Sequence, residues 1–404
     1  MSDPPVLRLD SPPFAQDSAL ARIWGALPMA RVVGGAVRDA LLSLPVADID
    51  LATPLRPDET ARALRAAGIK AVPTGLAHGT ITAVLDGRGF EITTLRRDME
   101  TDGRHAIVAF TADWRADAMR RDFTINAMSL ARDGGVHDYA GGLDDLNAGL
   151  VRFVGDPATR IAEDYLRILR FFRFQSRYGR SPPDAATRAA LRDGIPGLAR
   201  LSVERVWMEL RRILSATDPV EGVALMAELG VLQAVAPDLS VPPLRALRAT
   251  GAPADPILRV AAMLAGDPLP FAARLKLSNE DRDRLLRLRG TPAPDPAADD
   301  VALRRLLADH RREDLIDRSW IAGAPAALRD RLAALPRPVF PLVGKDVLAL
   351  GLPSGPAVGR LLDAVRAWWL ADGAAADRAT CLAELARQAC TPRASPQDGE
   401  QEVR

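Results

Sequence analysis

The stretch ARVVGGAVRDALLSLPVADIDL, residues 30–51, contains the features that decide the fold. Its first four residues are mostly apolar and predict a short strand that leads directly into Gly34 and Gly35. Apolar residues at helical spacing predict a helix over Ala36–Leu42. A strand that passes through two glycines into a helix presents backbone N–H groups and the positive helix end to an anion. We therefore predict a phosphate-binding turn with Arg38 as an added bidentate donor, against the alternative of a plain strand–helix turn.

The same stretch ends in two closely spaced carboxylates, Asp48 and Asp50, within a predicted strand over Ala47–Ala52. Residues i and i+2 of a strand share a face, so these side chains would project together. Like charges at that spacing raise each other's pKa, and a divalent cation relieves the repulsion. Mg²⁺ binds one or two carboxylates together with substrate phosphate oxygens, which predicts a magnesium site. Glu91 would complete the acidic site or accept a proton from an attacking hydroxyl. The alternative is a set of solvated carboxylates on exposed strands.

The pattern of elements around this stretch predicts an α+β fold. Thr80–Leu85 and Phe90–Leu95 are rich in β-forming residues, and the turn Asp86–Gly89 between them indicates a hairpin. A helix is predicted over Pro57–Ala67, capped by Thr53. From Ile161 onward the chain is predicted to be almost entirely helical, with a linker over 290–300.

The composition is that of a globular protein of two to three domains. The chain has 404 residues, of which 48% are hydrophobic and 26% charged. Two cysteines exclude a disulfide framework and cysteine-rich zinc modules, and they favour a cytoplasmic location. No apolar run reaches the ~20 residues of a membrane span, and we expect neither a membrane segment nor a secretory signal. Arginine makes up almost all of the basic residues, so phosphate contacts would be made by guanidinium groups.

Five motifs in order, across about 170 residues, make the chain resemble a known family. Gly34–Asp39 with Asp48–Leu51 is similar to the opening signature of the DNA polymerase beta-like nucleotidyltransferases. The similarity is greatest to the bacterial class II branch, which holds the CCA-adding tRNA nucleotidyltransferases and the bacterial poly(A) polymerases. The later motifs are Arg120–Ala127 (RRDFTINA), Asp138–Leu146 (DYAGGLDDL), Glu163–Arg167 (EDYLR) and Ser202–Arg205 (SVER).

A predicted helix over Glu163–Tyr178 carries a possible base-reading pair, Asp164 and Arg167, at i,i+3. An Asp can accept from the exocyclic amine of cytosine or adenine while an Arg donates to the ring nitrogen beside it. Guanine and uracil present the reverse order and leave both protein groups unsatisfied. The alternative is a solvated basic face with a Glu163–Arg167 ion pair.

The resemblance implies roles for further residues. It assigns Asp164 and Arg167 to base selection and turns Arg170 and Arg173 toward the phosphates. It assigns triphosphate or ribose contacts to residues of the first two motifs, Gly34, Gly35, Arg38, Arg121, Asp122 and Asn126. It also implies a mobile loop over Arg97–Asp113 and a tRNA-contacting tail that includes Leu342–Val347 and Gly351–Leu362.

These features predict a CCA tRNA nucleotidyltransferase that uses Mg²⁺, CTP, ATP and tRNA, with no obligatory protein partner evident. A poly(A) polymerase or an enzyme that adds only part of CCA is the enzymatic alternative. A non-catalytic RNA-binding protein is the alternative from another class. The predicted organisation is an N-terminal extension (1–28), a catalytic head (29–150), a nucleotide-reading neck (151–215), and a helical body and tail (216–404).

Overall fold

The computed structural model describes residues 4–12, 14–46, 48–76, 79–101 and 106–390, with the backbone alone for 98–101 and 106–108. The predicted α+β class is confirmed: the strands lie in the first 137 residues and the chain beyond is helical. The strands are β1 (Leu7–Arg8), β2 (Arg31–Val33), β3 (Asp50–Thr53), β4 (Lys70–Gly75), β5 (Thr80–Leu85), β6 (Arg88–Thr94), β7 (Arg96–Thr101), β8 (Ala106–Phe110), β9 (Ser129–Leu130) and β10 (Gly135–His137).

Helices accompany the strands and then form the remainder of the described chain. They are α1 (Ser18–Ala26), α2 (Gly35–Leu41), α3 (Pro57–Ala66), α4 (Trp114–Met119), α5 (Gly142–Ala148), α6 (Pro157–Glu163), α7 (Leu166–Tyr178), α8 (Ala185–Asp193), α9 (Val203–Leu214), α10 (Val220–Glu228), α11 (Val231–Val235), α12 (Val241–Ala249), α13 (Pro256–Met263), α14 (Pro268–Arg274), α15 (Asn279–Gly290), α16 (Asp300–Asp309), α17 (Arg312–Ile321), α18 (Ala326–Ala334), α19 (Gly344–Leu348), α20 (Pro356–Ala371) and α21 (Arg378–Cys390).

The main sheet has the strand order β1-β10-β9-β2-β3-β6-β5-β4. Strands β3 and β6 are parallel, with Leu51 paired to Ile92, while β2 runs antiparallel to β3. Leu51 and Ile92 are fully buried, so they define the core face of this pair. Asp50 and Glu91 precede them by one residue and therefore lie side by side on the other face. The register between β3 and β6 is what brings these two carboxylates together.

The predicted hairpin between β5 and β6 is present. Asp86 and Gly87 both have positive φ, 50° and 76°, as a two-residue type I′ turn requires. Strand β6 begins at Arg88, two residues earlier than predicted. The segment Arg97–Asp113, expected to be a loop, instead contributes most of a hairpin in which β7 pairs with β8. Residues 102–105 of the segment lie outside the described residues.

Three further predictions of local structure are wrong. The strand predicted over Ala47–Ala52 does not include Asp48 and Ile49 and begins at Asp50, because the neighbouring β2 ends at Val33, the partner of Asp50. Asp48 therefore precedes the strand rather than sharing its face. Ala47 lies outside the described residues. The helix predicted over Glu163–Tyr178 is two helices, since Asp164 is extended and its carboxylate accepts from the Leu166 N–H at 3.1 Å. Helix α3 is capped from Glu59, whose carboxylate accepts from the backbone of Arg56, and not by Thr53.

The chain divides into two compact units. The first comprises residues 1–241, 254–256 and 270–277, and the second comprises 242–253, 257–269 and 278–404. The first contains the sheet and an aromatic cluster in which Phe123 contacts Phe153, Phe171 and Phe174. The second contains separate apolar clusters, one of them around Trp369. The predicted linker over 290–300 spans the connection between α15 and α16.

Candidate active site

A cavity of about 600 Å³ in the first unit gathers most of the predicted site residues. It lies where the ends of β2, β3 and β6 meet helices α2 and α7 and the segment after α4. Asp48 does not line it. The predicted residues in its lining are Gly34, Gly35, Arg38, Asp50, Glu91, Arg121, Asp122, Asn126, Asp164, Arg167, Arg170 and Arg173.

The acidic patch, defined as Asp48, Asp50 and Glu91, carries uncompensated negative charge. Burial raises the pKa of the Asp50 carboxyl, and the charges of Glu91 and Asp48 raise it further, while Arg121 opposes the shift. Solvent still reaches Asp50 through the open cavity. Asp48 is thus close enough to act on Asp50 electrostatically although it lies outside the strand. The patch has the charge excess that a cation would relieve.

The donor set fits a cation of the magnesium type better than a cage built by protein alone. Within the described ranges, no group of three or more His, Cys, Asp or Glu side chains is arranged to hold a metal ion. Mg²⁺ is commonly bound by one or two carboxylates plus substrate phosphate oxygens and water. Asp50 and Glu91, side by side in an open cavity, match that requirement.

The glycine turn is shaped by its neighbours. Gly34 has φ of +70°, and a Cβ added there would lie 3.4 Å from Nη1 of Arg121. A side chain at this position would be strained by the backbone, and its Cβ would lie at contact distance from the guanidinium. The Gly34 N–H makes a long hydrogen bond of 3.4 Å to the Met128 carbonyl. Glycine is therefore favoured here by the backbone conformation.

Arg38 is placed differently from the expectation of a freely available phosphate donor. Its side chain is buried, with Nε donating to Asp39 at 2.9 Å and Nη1 to the Asn126 amide oxygen at 2.6 Å. The Asn126 amide nitrogen in turn approaches the Asp122 carboxylate at 3.3 Å. The guanidinium also lies 4.1 Å from the centre of the Tyr178 ring. Arg38 lines the cavity but also fixes the position of Asn126.

Arg121 is oriented by a buried carboxylate that the sequence analysis did not single out. Asp117 is 3% exposed and accepts from Arg121 at 3.2 Å and from Arg120 at 2.8 Å. Burial alone would raise the pKa of Asp117, but the charges of Arg121 and Arg120 outweigh it and the pKa is lowered. The spacing of Asp117 to these arginines, i,i+4 and i,i+3, was the available signal. Asp117 therefore positions Arg121 in the cavity lining.

The arginine network consists of the ion pairs Asp122–Arg170 and Glu209–Arg173 at the helical part of the cavity. Asp122 accepts from Nε of Arg170 at 2.7 Å, and a second bond joins the same oxygen to Nη2. Burial would raise the pKa of Asp122, but Arg170 and the Asn126 amide lower it overall. Arg173 donates to Glu209 at 2.7 Å. Each acid in the network has a guanidinium partner, in contrast to the acidic patch.

Asp164 and Arg167 line the same cavity but have different partners. The Asp164 carboxylate accepts from Leu166 N–H and from Nη2 of Arg205 at 2.9 Å. Arg167 donates to the Arg160 carbonyl at 2.8 Å and forms an ion pair with Glu163. The alternative considered from the sequence, a Glu163–Arg167 ion pair, is therefore present.

The acidic and basic residues that hold the predicted site side chains in place were not identified from the sequence. Arg205 lies in a quoted motif, yet its contact with Asp164 spans 41 residues. Arg173 likewise pairs with the distant Glu209. Arg38 pairs with Asp39, its neighbour in the chain.

The comparisons with known proteins now bear on the identity of this site. The family model described as the poly A polymerase head domain matches residues 30–152, and that of the probable RNA and SrmB-binding site of polymerase A matches 183–241. The CCA tRNA nucleotidyltransferase 1, mitochondrial, of Danio rerio is 38% identical over 84% of this chain and 83% of its own length. The chain belongs to the CCA-adding tRNA nucleotidyltransferase family.

Other relatives agree with this assignment. The CCA-adding enzyme of Geobacillus thermodenitrificans is 34% identical over 88% of this chain and 92% of its own length. The crystal structure of the Bacillus stearothermophilus CCA-adding enzyme in complex with CTP has a TM-score of 0.74 and 28% identity, covering 94% of this chain and 98% of that one. The predicted family and fold are confirmed, and the chain is a nucleotidyltransferase, a family that generally uses a divalent metal ion. Among the described helices, none has the length and apolar character of a membrane span.

Proposed function

We propose that this chain adds C, C and A to the 3′ end of tRNA from CTP and ATP, without a nucleic-acid template. The tRNA 3′-hydroxyl attacks the α-phosphate of the nucleotide, and pyrophosphate leaves. The observation that supports this most strongly is the cavity in which Asp50 and Glu91 share a lining with Asp164 and Arg167. One pocket thus combines groups suited to phosphoryl transfer with groups suited to base selection.

The acidic patch is proposed to hold Mg²⁺. Asp48 and Asp50 are the proposed ligands, and Glu91 completes the acidic site. A bound divalent ion supplies charge that stabilises the phosphoryl group and leaving group in the transition state. The raised pKa of Asp50 supports this role, because the ionised pair is costly without a cation.

The triphosphate is proposed to lie along Gly34, Gly35 and Arg121. Arg121 is held by Asp117, so its guanidinium is preorganised and little side-chain entropy is lost on binding. Arg38 is proposed to act with this group, chiefly by fixing Asn126, since two of its nitrogens already donate to protein oxygens. Asp122 and Asn126 are the proposed ribose-side residues, held by Arg170 and Arg38.

Base selection is proposed to rest on Asp164 and Arg167, with Arg170 and Arg173 near the phosphates. Arg205 and the Leu166 N–H each donate to one oxygen of Asp164, which fixes the carboxylate plane. Each carboxylate oxygen retains lone-pair capacity for the exocyclic amine of C or A. Arg167 is held at Nη1, and the guanidinium has five N–H donors in total.

The remaining assignments complete the proposal. The head is proposed to span 29–150 and the neck 151–215, after an extension over 1–28. The body and tail, 216–404, are proposed to bind tRNA away from its 3′ end, and no obligatory protein partner is proposed. Solved CCA-adding enzymes have been described with CTP, with ATP and with tRNA, which supports the same partners here. A cytoplasmic location is proposed from the cysteine content, although three relatives are named as mitochondrial enzymes.

Poly(A) polymerase activity is the second candidate, because both family models are described by that enzyme. A partial activity, adding only CC or only the final A, is a variant of the first proposal. A non-catalytic RNA-binding role is disfavoured, since an unpaired acidic patch destabilises a fold that does not use it.

The test is to sequence the 3′ ends made from a tRNA transcript that ends at the discriminator base, given CTP and ATP. We expect addition of CCA followed by arrest, and no addition by Asp50→Asn. A generic RNA of similar length serves as the substrate control. A long A tail on either RNA would favour poly(A) polymerase, and a product that ends in CC would indicate a partial enzyme.

A further inference from the structure

A second cavity, of about 400 Å³, shares Arg38, Arg173 and Phe174 with the active-site pocket. Its other lining residues come from the ends of α7 and α9 and the segment after α9, namely Arg177, Tyr178, Arg212, Ser215, Ala216 and Thr217. These residues are all described, and none of them is acidic. We propose that this cavity binds a phosphate of the RNA backbone next to the growing 3′ end. The inference rests on the proposed function and adds a second subsite to it.

Charge is in excess around this cavity. Four guanidinium groups share two carboxylates, Asp39 and Glu209. Asp39 pairs with the buried Arg38 at 2.9 Å and more loosely with Arg177 at 3.9 Å. In the same way, Glu209 pairs with Arg173 at 2.7 Å and more loosely with Arg212 at 3.3 Å. Each carboxylate is thus closest to the less exposed of its two arginines.

The two looser arginines are the ones that solvent reaches. The side chains of Arg177 and Arg212 are 55% and 52% exposed, compared with 7% for Arg38. Burial lowers the pKa of Arg173, and the charges of Arg170 and Arg212 lower it further, against the opposing effect of Glu209. Cations therefore repel one another here, and an added anion is favourable. Guanidinium groups bind phosphate oxygens through paired, planar donors.

The aromatic floor of the cavity points to a phosphate rather than a base. The rings of Phe174 and Tyr178 are buried, so they offer no open face on which a base could stack. Burial raises the pKa of the Tyr178 hydroxyl to about 12, so it stays protonated and donates to Asp39 at 2.8 Å. A phosphate that occupies this cavity while a nucleotide fills the neighbouring pocket belongs to a second molecule. The primer RNA is such a molecule, because its 3′ end must reach the same neighbouring pocket.

The test compares Arg177→Gln/Arg212→Gln with the control Arg62→Gln/Arg65→Gln, which removes two exposed arginines from α3. We expect the KM for tRNA lacking CCA to rise about tenfold in the first variant, with the KM for CTP and the kcat within twofold of the parent. Direct tRNA binding should weaken equally, and its log–log salt slope should fall by about 0.7, the contribution of one single-strand phosphate contact. The conservative variant Arg177→Lys/Arg212→Lys should retain most of the affinity.

An unchanged tRNA affinity and salt slope in the Gln/Gln variant would overturn the proposal. A raised KM for CTP, or weaker inhibition by pyrophosphate with tRNA binding intact, would also overturn it and assign the cavity to the triphosphate or its product. If the melting temperature of Arg177→Gln/Arg212→Gln is lowered, the two single variants are measured instead. Each is expected to show about half the change in the salt slope of tRNA binding. Failure of the parent enzyme to add CCA would contradict the proposed function alone, because tRNA binding is measured separately.

Discussion

The acidic patch and the arginine network line one pocket but differ in how far their carboxylates are compensated by nearby positive charge. In the patch, Asp50 and Glu91 lie side by side with the pKa of Asp50 raised. In the network, Asp122 is buried against Arg170 and its pKa is lowered. Each carboxylate of the network has a guanidinium partner in the protein, whereas the patch lacks a compensating charge. The difference indicates where substrate and cation are needed and where the protein alone maintains geometry.

The largest effect is expected from Asp50→Asn, which removes the central charge of the patch. Transfer should fall by about a thousandfold or more, since the charge that stabilises the transition state is lost. The measurement is incorporation of labelled CMP into tRNA, with the exposed Asp58→Asn as the matched control. Near-normal turnover in Asp50→Asn would show that the patch is not the catalytic site.

The same variant should be more stable than the parent in the absence of ligands. A carboxyl whose folded pKa is raised destabilises the fold when it is ionised, so the penalty is absent below the ordinary Asp pKa near 4 and present above the raised value. The melting-temperature gap between Asp50→Asn and the parent should therefore open as the pH rises through that window. A parent that is equally stable or more stable at neutral pH would contradict the charge excess of the patch.

Base choice should respond to Arg167→Ala, which leaves the acidic patch intact. Loss of one of the two proposed base contacts should reduce discrimination against UTP and GTP by about a hundredfold. The comparison is kcat/KM for the four nucleotides on one primer, with the exposed Arg192→Ala on α8 as control. If the ranking of the four nucleotides does not change, the base is selected elsewhere.

The smallest effect in this series is expected from Asp122→Asn, a change in stability. Arg170 would keep a neutral partner, and we expect a loss of about 2 kcal/mol, less than for a fully buried pair because Arg170 is one-third exposed. The loss should shrink as the pH falls through the lowered pKa of Asp122, where the parent also loses the charge. Urea unfolding at several pH values measures it, with the exposed Asp144→Asn as control. A stability equal to that of the control would show that the pair is not stabilising.

Local chemistry made much of the fold predictable. The glycine turn after β2 and the hairpin at Asp86 and Gly87 depend on backbone conformations that few residues adopt, so the residue types indicate them directly. The start of β3 could not be predicted in this way. It is set by the end of β2, its antiparallel neighbour, and not by the sequence around Asp48. The break at Asp164 lacked Gly or Pro, but Asp is a residue type whose carboxylate competes with the helix for backbone N–H groups, as it does here with Leu166.

The site was predictable to the extent that its residues lie in short motifs. The motifs gave Asp50, Arg121 and Asp164, and the strand pattern after Phe90 gave Glu91. The structure brings all four to one cavity. The spacing of Asp117 to Arg121 was a local signal for one orienting group. The others were not predictable, because contacts such as Asp164 with Arg205 and Arg173 with Glu209 join residues 36 to 41 positions apart. Asp48 and Arg38 also lie in the motifs, but their placement could not be predicted from them. Asp48 precedes β3, and Arg38 donates to Asn126.

Metal binding is the most direct check that the acidic patch is the cation site, because it depends on neither tRNA nor turnover. Mn²⁺, used as a paramagnetic substitute for Mg²⁺, can be titrated into the protein in the presence of CTP and followed by electron paramagnetic resonance. We expect nucleotide-dependent Mn²⁺ binding by the parent and by Asp58→Asn, and loss of this binding in Asp50→Asn. Equal Mn²⁺ binding by the parent and Asp50→Asn would contradict the claim that the uncompensated carboxylates of the patch are the cation site.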